Sequence, residues 1–254
     1  MIRLNINIDH VATLRNQRDA GYPCPLQAAR ACLEAGADGI TIHLREDRRH
    51  IRDQDVTEIA AYLRDLPLDI PFREEKVLNL EIAATEEMLN IARSVGPDVI
   101  TLVPEKREER TTEGGLDVIG QRGAIEAFAT MCRAEEIKLS LFIEASLPQV
   151  EASQAIGAQQ IEFHTGHYCE ASSVEQKHYI EALRLACERA AALGLEVAAG
   201  HGLNQHNVAP IAALPHLVEL NIGHAVIADS ILVGLSQAVL QLRGAIDRGV
   251  APAS

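Results

Sequence analysis

The sequence predicts a single (β/α)8 TIM barrel with extra helical segments, occupying residues 1–254 as one α/β domain. Three observations lead there. Strand-like and helix-like segments alternate about eight times, over a length ordinary for one closed barrel. Helix-to-strand turns recur as Gly36-Ala37, Gly157-Ala158 and Gly194-Leu195. Polar and ionisable residues fall at the C-terminal end of nearly every strand segment. A doubly wound open sheet also alternates β with α, but it places its ligand crevice at one switch point. Only a ring brings all the strand ends around one mouth.

The first strand spans Arg3 to Ile8, with Leu4, Ile6 and Ile8 on one face and Asn5 and Asn7 on the other. Asp9 and His10 follow, then a loop with Arg15, Arg18, Gly21 and Pro23. Pro25 to Glu34 is a helix with Pro in its first turn. The stretch Gly39 to His50 begins as a strand: Ile40, Ile42 and Leu44 share one face, Thr41, His43 and Arg45 the other. A strand with His and Arg along one face does not bury that face in an ordinary apolar core. Arg48 and Arg49, by contrast, read as a solvated loop. A helix over Asp53 to Arg64, with Asp53 as its cap, is followed by a polar connector from Asp65 to Lys76.

The next strand, Leu78 to Ile82, carries Glu81, and Thr85 caps the helix behind it. Turn and strand over Pro97 to Val103 lead into the longest charged loop, Pro104 to Gly115, a candidate lid. Helix Gln121 to Glu135, strand Lys138 to Ile143 ending at Glu144, and helix Pro148 to Ile156 come next. Strand Gln160 to His164, helix Val174 to Leu193, strand Leu195 to Ala199 and a short helix Asn207 to Ala213 continue the alternation. Strand His216 to Ile222, then Gly223-His224 and a final helix to about Arg248, complete it.

Composition excludes several classes of partner. The formal net charge is −13 and aromatics are 3% with no Trp, so base-stacking platforms and a basic face are missing and nucleic acid is not expected. A negative surface also disfavours anionic membranes, and no apolar run is long enough to span one. The N-terminus enters a strand at once, without an apolar leader. Cys24, Cys32, Cys132, Cys169 and Cys187 are odd in number and lack metal-ligand spacing; they read as reduced packing thiols of a cytoplasmic protein. His167, His178, His206 and His216 read as surface or structural.

The strand ends collect Asn7, Asp9, His10, His43, Arg45, Glu81, Thr101, Glu144, Glu162, His164, His201, Gly223 and His224. The opposite ends hold far fewer such groups. Asn5, Asn7, Thr41, His43, Asn79, Glu81, Glu162, His164 and Asn221 point inward if their apolar neighbours face the helices, which predicts a polar interior that is hydrated near the mouth. Two anion sites follow. Gly223-His224 opens the last helix, with amides of Gly200 to Gly202 beside it. Arg45, His50 and Thr111 make the other.

Absences narrow the chemistry. Of four lysines only Lys106 lies near the rim, which disfavours a Schiff-base lysine. The His-x-His pair of metal-hydrolase barrels and a Gly-rich dinucleotide loop are both missing, so no metal and no cofactor is called for. What remains is acid–base work by His and Glu on small phosphorylated molecules. A metal-assisted sugar-phosphate aldolase or isomerase, and a non-catalytic sugar-phosphate-binding barrel, stay open on these residues alone.

The motifs Asn7 to Arg15, His43 to Ile51, Asn79 to Glu81, Val103 to Arg107, Thr111 to Asp117, Glu162 to Gly166, Ala199 to Leu203 and Glu219 to His224 closely resemble the pyridoxine 5′-phosphate synthase family, in order along nearly the whole chain. The connector from Asp65 to Lys76 looks longer than the family pattern. The resemblance implies a cofactor-free ring closure of 1-deoxy-D-xylulose 5-phosphate with 3-amino-2-oxopropyl phosphate, giving pyridoxine 5′-phosphate, phosphate and water. It implies His43 and Glu81 as proton acceptors, His201 as donor and Glu162 as transition-state stabiliser. Asp9, His10, Arg45, His50 and Thr111 match binding positions for the deoxyxylulose phosphate; Asn7, Arg18, Gly202, Gly223 and His224 match those for the amino-ketone phosphate. A homo-oligomer, an octamer, is also implied.

Overall fold

The computed structural model describes residues 1–18, 20–66, 70, 76–105 and 114–250. Eight parallel strands close into a barrel in sequence order, each paired with the next and the eighth with the first. The chain runs β1 (Arg3–Asn7), α1 (Asp9–Asn16), α2 (Pro25–Glu34), β2 (Gly39–His43), α3 (Asp53–Arg64), β3 (Val77–Ile82), α4 (Glu86–Val95) and β4 (Val99–Leu102). It continues through α5 (Arg122–Ala134), β5 (Lys138–Ile143), α6 (Leu147–Ile156), β6 (Gln160–His164), α7 (Gly166–Glu170) and α8 (Ser173–Ala192). Then come β7 (Glu196–Gly200), α9 (Val208–Ala212), β8 (Leu217–Ile222), α10 (His224–Val233) and α11 (Leu235–Val250). No helix among the described residues is long and apolar enough to cross a membrane.

Alternation along the strands sorts the residues into two environments. Leu4, Ile6, Ile40, Ile42, Leu78, Leu80, Ile161 and Phe163 are buried in the main apolar cluster with residues of the surrounding helices. The other faces, turned to the barrel axis, are polar. Asn221 is the hub: its carbonyl oxygen accepts from Thr41 Oγ1 at 2.8 Å and Asn5 Nδ2 at 3.1 Å, and its amide donates to Glu162 at 2.8 Å. Thr101 donates to Asn79 at 2.8 Å on the opposite side. The polar interior read from the sequence is therefore present, and buried Asn79 Nδ2, Ser140 Oγ and Gln160 Oε1 have no hydrogen-bond partner among the described residues.

The turns into β2, β4 and β6 do a second job. Asp38 accepts the N–H of Leu4, Asp98 that of Leu78 and Gln159 that of Leu139, each at 2.8 Å. Each turn thus pins the start of the preceding strand and helps set the register. Gly96 and Gly157 hold the left-handed conformation at the ends of α4 and α6, which an L side chain rarely adopts.

Several expectations need correction. The segment read as a loop after β1 is helical from Asp9 to Asn16, because the Asn7 side chain accepts the Asp9 N–H as the helix begins and Arg15 is anchored in a buried pair with Asp55. Asp53 is the first residue of α3, not its cap; Asp55 instead accepts the Arg52 N–H at 2.8 Å. A short helix, α7, follows β6, and the last helix is two, broken at Gly234. The N-terminal end of the barrel is also not poor in charge: Arg3 bonds Glu219 and Glu196, Lys138 bonds Glu196, and Arg243 and Lys76 flank Asp38. That network is a plug of paired ions. Parts of the 65–76 connector and of the 104–115 loop lie outside the described residues, as do Lys106 and Thr111.

Candidate active site

The C-terminal mouth opens into a cavity of about 570 Å³. Of the residues singled out from the sequence, Asn7, Asp9, His10, His43, Arg45 and His50 line it. Glu81, Glu162, His201, Gly202, Gly223 and His224 complete the set. Arg18 is exposed in the turn after α1 and is not in the lining. Thr111 lies outside the described residues.

Register explains the central pair. His43 and Glu81 are partners across β2 and β3, so both side chains face the axis at one height. Asp9 stands beside them: its carboxylate accepts the His43 N–H at 2.8 Å and the Asn7 amide at 2.9 Å. Asn7 also reaches Glu81, at 3.5 Å. Burial, opposed by the His43 ring and aided by Asp9, pushes the Glu81 carboxyl up to about 7. Burial disfavours the charged form of His43, but Glu105, Glu81 and Asp9 outweigh it and hold the ring above the ordinary imidazole range.

Glu105 is the residue that the sequence reading left without a role. Its carboxylate meets His43 Nε2 at 2.9 Å and accepts the Glu46 N–H at 3.2 Å. The signal was available: Thr101, Val103 and Glu105 alternate out of β4, so the third follows the first onto the inner side. Burial would raise Glu105, yet the His43 contact keeps it below the usual carboxylate value.

Glu162 sits lower in the barrel, against Asn221 and the backbone of Gly200. Any side chain at position 200 would come within 2.2 Å of its carboxylate. Burial, with Glu81 and Glu219 adding like charge, holds the Glu162 carboxyl well above its ordinary value. That favours the protonated carboxyl, which can donate a hydrogen bond. His201 lies across the mouth with a positive φ of 79°, its carbonyl gripped by Thr165 Oγ1 at 2.6 Å. Burial and neighbouring His164 lower its imidazole to about 4, so it is unprotonated at neutral pH.

Two ends of the cavity suit anions. At one end Gly223 and His224 start α10, where free backbone N–H groups point outward, with Gly202 and Ala225 alongside. A Cβ on Gly223 would lie 2.8 Å from Asn7 Cβ, so only glycine lets the two segments approach. His10 packs edge-on against the His224 ring there, centroids 5.2 Å apart. At the other end stand Arg45 and His50, both buried. His50 Nδ1 accepts the Ile51 N–H at 2.9 Å, which leaves Nε2–H as its donor. Burial lowers His50, consistent with that neutral tautomer.

Among the described residues, two groups have ligand atoms close enough to surround a metal ion: Asp9, His43 and His50, and Glu144, His164 and His167. The first group is engaged in the hydrogen bonds just described. The arrangement as a whole can take protons at His43 and Glu81, donate from Glu162, exchange a proton at His201 and hold two anionic groups at opposite ends.

Comparison with known proteins gives a consistent result. The chain matches the family described as pyridoxal phosphate biosynthesis protein PdxJ over residues 4–248. A pyridoxine 5′-phosphate synthase of Rhodospirillum rubrum is 51% identical over 249 residues, 97% of this chain and 95% of its own. One from Acaryochloris marina is 50% identical over 247 residues, covering 97% and 98%. Among solved structures, KGPDC from Streptococcus mutans superposes with a TM-score of 0.65 at 11% identity, covering 99% of this chain and 100% of that one. Phosphoribosyl anthranilate isomerase from Thermotoga maritima gives 0.61 at 16% identity, covering 97% and 99%. These two likenesses concern the barrel alone.

Proposed function

Because the chain belongs to the PdxJ family of pyridoxal phosphate biosynthesis proteins, we propose that the cavity residues divide the work of a pyridoxine 5′-phosphate synthase as follows. The protein is an enzyme of vitamin B6 biosynthesis. Its substrates in this reading are 1-deoxy-D-xylulose 5-phosphate and 3-amino-2-oxopropyl phosphate. Arg45, His50, Asp9 and His10 receive the sugar phosphate, and Gly202, Gly223, His224 and Asn7 the amino-ketone phosphate. Thr111 and Arg18 join them on the family resemblance alone.

The substrate amine attacks the ketone of the deoxy sugar, and loss of water gives an imine without any protein lysine. Enolisation, loss of phosphate, a further dehydration and ring closure then need protons moved at carbon and oxygen. Glu81, with a proton affinity poised near neutrality, and His43 remove them. Glu162, whose burial favours the protonated carboxyl, donates a hydrogen bond to oxygen as negative charge develops there. Burial and His164 lower the His201 imidazole to about 4, so it holds a proton poorly at neutral pH. Two bound phosphates add negative charge to the mouth and raise its affinity for one, so it acts as donor only within the complex. A homo-oligomer, an octamer in the family pattern, is part of the same proposal.

The observation that carries this reading is the convergence of His43, Glu81, Glu162 and His201 on one cavity with an anion cradle at each end. Incubating the pure protein with both phosphates and a chelator, and assaying for pyridoxine 5′-phosphate and inorganic phosphate, tests it. Product formation at the same rate as without chelator is expected. Loss of turnover in the chelator would move the reading to metal-assisted chemistry.

A further inference from the structure

Glu144, His164 and His167 form a second cluster on the same rim, outside the acid–base set. Glu144 follows β5, His164 ends β6 and His167 lies in α7. His164 Nδ1 is 2.8 Å from Glu144 Oε1, and His167 Nε2 is 3.8 Å from that same oxygen. One ligand atom from each residue lies within 4.8 Å of the other two. We propose that this cluster binds a divalent transition-metal ion of the zinc class, and that the bound ion inhibits the enzyme by acting on His201.

The donor set is two imidazoles and one carboxylate, which leaves one position of a tetrahedral ion for water. Ligand atoms about 2.0–2.2 Å from a tetrahedral zinc stand about 3.3 Å from each other. The 2.8 Å contact must open and the 3.8 Å contact must close, each by about half an ångström, within ordinary side-chain adjustment. His167 is half exposed, with 53% of its side-chain surface accessible, so an ion can enter from solvent. Each ligand is already oriented by a neighbour. The His167 ring stacks on Tyr179 at 6.0 Å and 19°, Glu144 accepts the Gly115 N–H at 3.0 Å, and His164 packs against Phe142 at 5.4 Å.

The effect on turnover rests on the catalytic reading of His201; the ion site itself does not. The His164 and His201 ring centroids are 5.1 Å apart. A Cβ on Gly166 would lie 2.4 Å from His164 Nε2 and 3.2 Å from His201 Cδ2, so the two rings share a space without slack. Turning His164 onto an ion presses on His201. The ion also competes with Gly115 for the Glu144 carboxylate.

The test compares the full-length wild type with His167→Ala and His167→Gln, variants of a residue outside the catalytic set. Equilibrium dialysis against zinc should leave about one more tightly held ion per wild-type chain than per variant chain, with affinity at least about tenfold weaker in both variants. Cobalt in place of zinc should give wild-type protein the visible absorption of a low-symmetry site, absent from the variants. Zinc should lower wild-type turnover, a chelator should restore it, and the variants should keep their rate at the same zinc concentration. Equal zinc content and equal zinc sensitivity in all three proteins would overturn the site. Tight binding without inhibition would overturn the action on His201. Failure of the catalytic reading is separate, since it shows as missing turnover before any zinc is added.

Discussion

The Glu105 carboxylate lies 2.9 Å from His43 Nε2 and fixes that ring from two strands away, so a proposed base on β2 answers to a residue that follows β4. Glu105 also accepts the Glu46 N–H, which ties the loop after β2 to the same point.

Replacing that carboxylate separates orientation from charge. In Glu105→Gln the strongest influence raising the His43 proton affinity is gone, while burial, which lowers it, stays. His43 then loses its proton at lower pH, and the acidic limb of kcat/KM moves downward. Loss of a hydrogen bond to a charged group, about 1.5–3 kcal/mol, should also cut kcat/KM by about ten- to a hundredfold. A pH–rate profile of the pure variant reads both; a lower rate with an unmoved limb would leave Glu105 a packing role only.

Glu81→Gln should behave differently. The amide keeps the shape and can still meet Asn7, so KM should change little. Removing a general base costs about 10²–10⁴ in kcat. Wild-type kcat should rise as pH climbs through about 7, where the raised Glu81 carboxyl ionises, and that limb should vanish in the variant. Wild-type turnover by Glu81→Gln would remove this residue from the chemistry.

How much of this was legible beforehand depends on the range of the interaction. Period-two alternation put Thr41, His43 and Arg45 on the inner face, and the structure agrees, because parallel register preserves what each strand's own pattern says. Glu105 was harder, since the partner it serves is 62 residues away and no local pattern announces the pair. The ion pairs at the N-terminal end were missed for the same reason: Arg3 meets Glu219 only after the eighth strand closes on the first. The polar composition of Asp9–Asn16 does not announce a helix; its stability comes from tertiary anchors such as Arg15 to Asp55, which propensity does not register. Thr111 and Arg18 rest on motif alone, one outside the described residues and one outside the cavity lining.

Glu162 offers a test of electrostatics that needs no substrate. Its carboxyl is held well above the ordinary range in the fold, whereas the unfolded chain ionises it at the ordinary value. Above that value the unfolded state alone releases the proton, so stability falls as pH rises, by up to about 1.4 kcal/mol per pH unit until the folded carboxyl also ionises. Glu162→Gln has no proton to lose. Its Tm should match the wild type at the most acidic usable pH and exceed it increasingly toward neutrality, while its turnover drops. Parallel Tm curves across pH would show that Glu162 ionises in the fold much as it does in water.

The Gly223 cradle can be distinguished from a merely tight turn by pairing two glycine replacements. A Cβ at position 223 meets Asn7 Cβ at 2.8 Å and Asn7 O at 2.9 Å, so Gly223→Ala must push β1 away from the start of α10. Asn7 carries the hydrogen bonds that seat Asp9, and Asp9 in turn accepts the His43 N–H, so the shift travels into the cavity. Gly36 has open space around it but a φ of +97°, so Gly36→Ala suffers strain of about 1–2 kcal/mol far from the mouth. Overpacking at 223 costs about 1–3 kcal/mol, a comparable loss. Both variants should therefore melt lower by similar amounts. Only Gly223→Ala should raise KM for a phosphorylated substrate, by about tenfold or more if even one charge-assisted hydrogen bond to phosphate is lost. Equal KM values in the two variants would mean that the start of α10 does not hold an anion, and the cavity would keep a single cradle at Arg45 and His50.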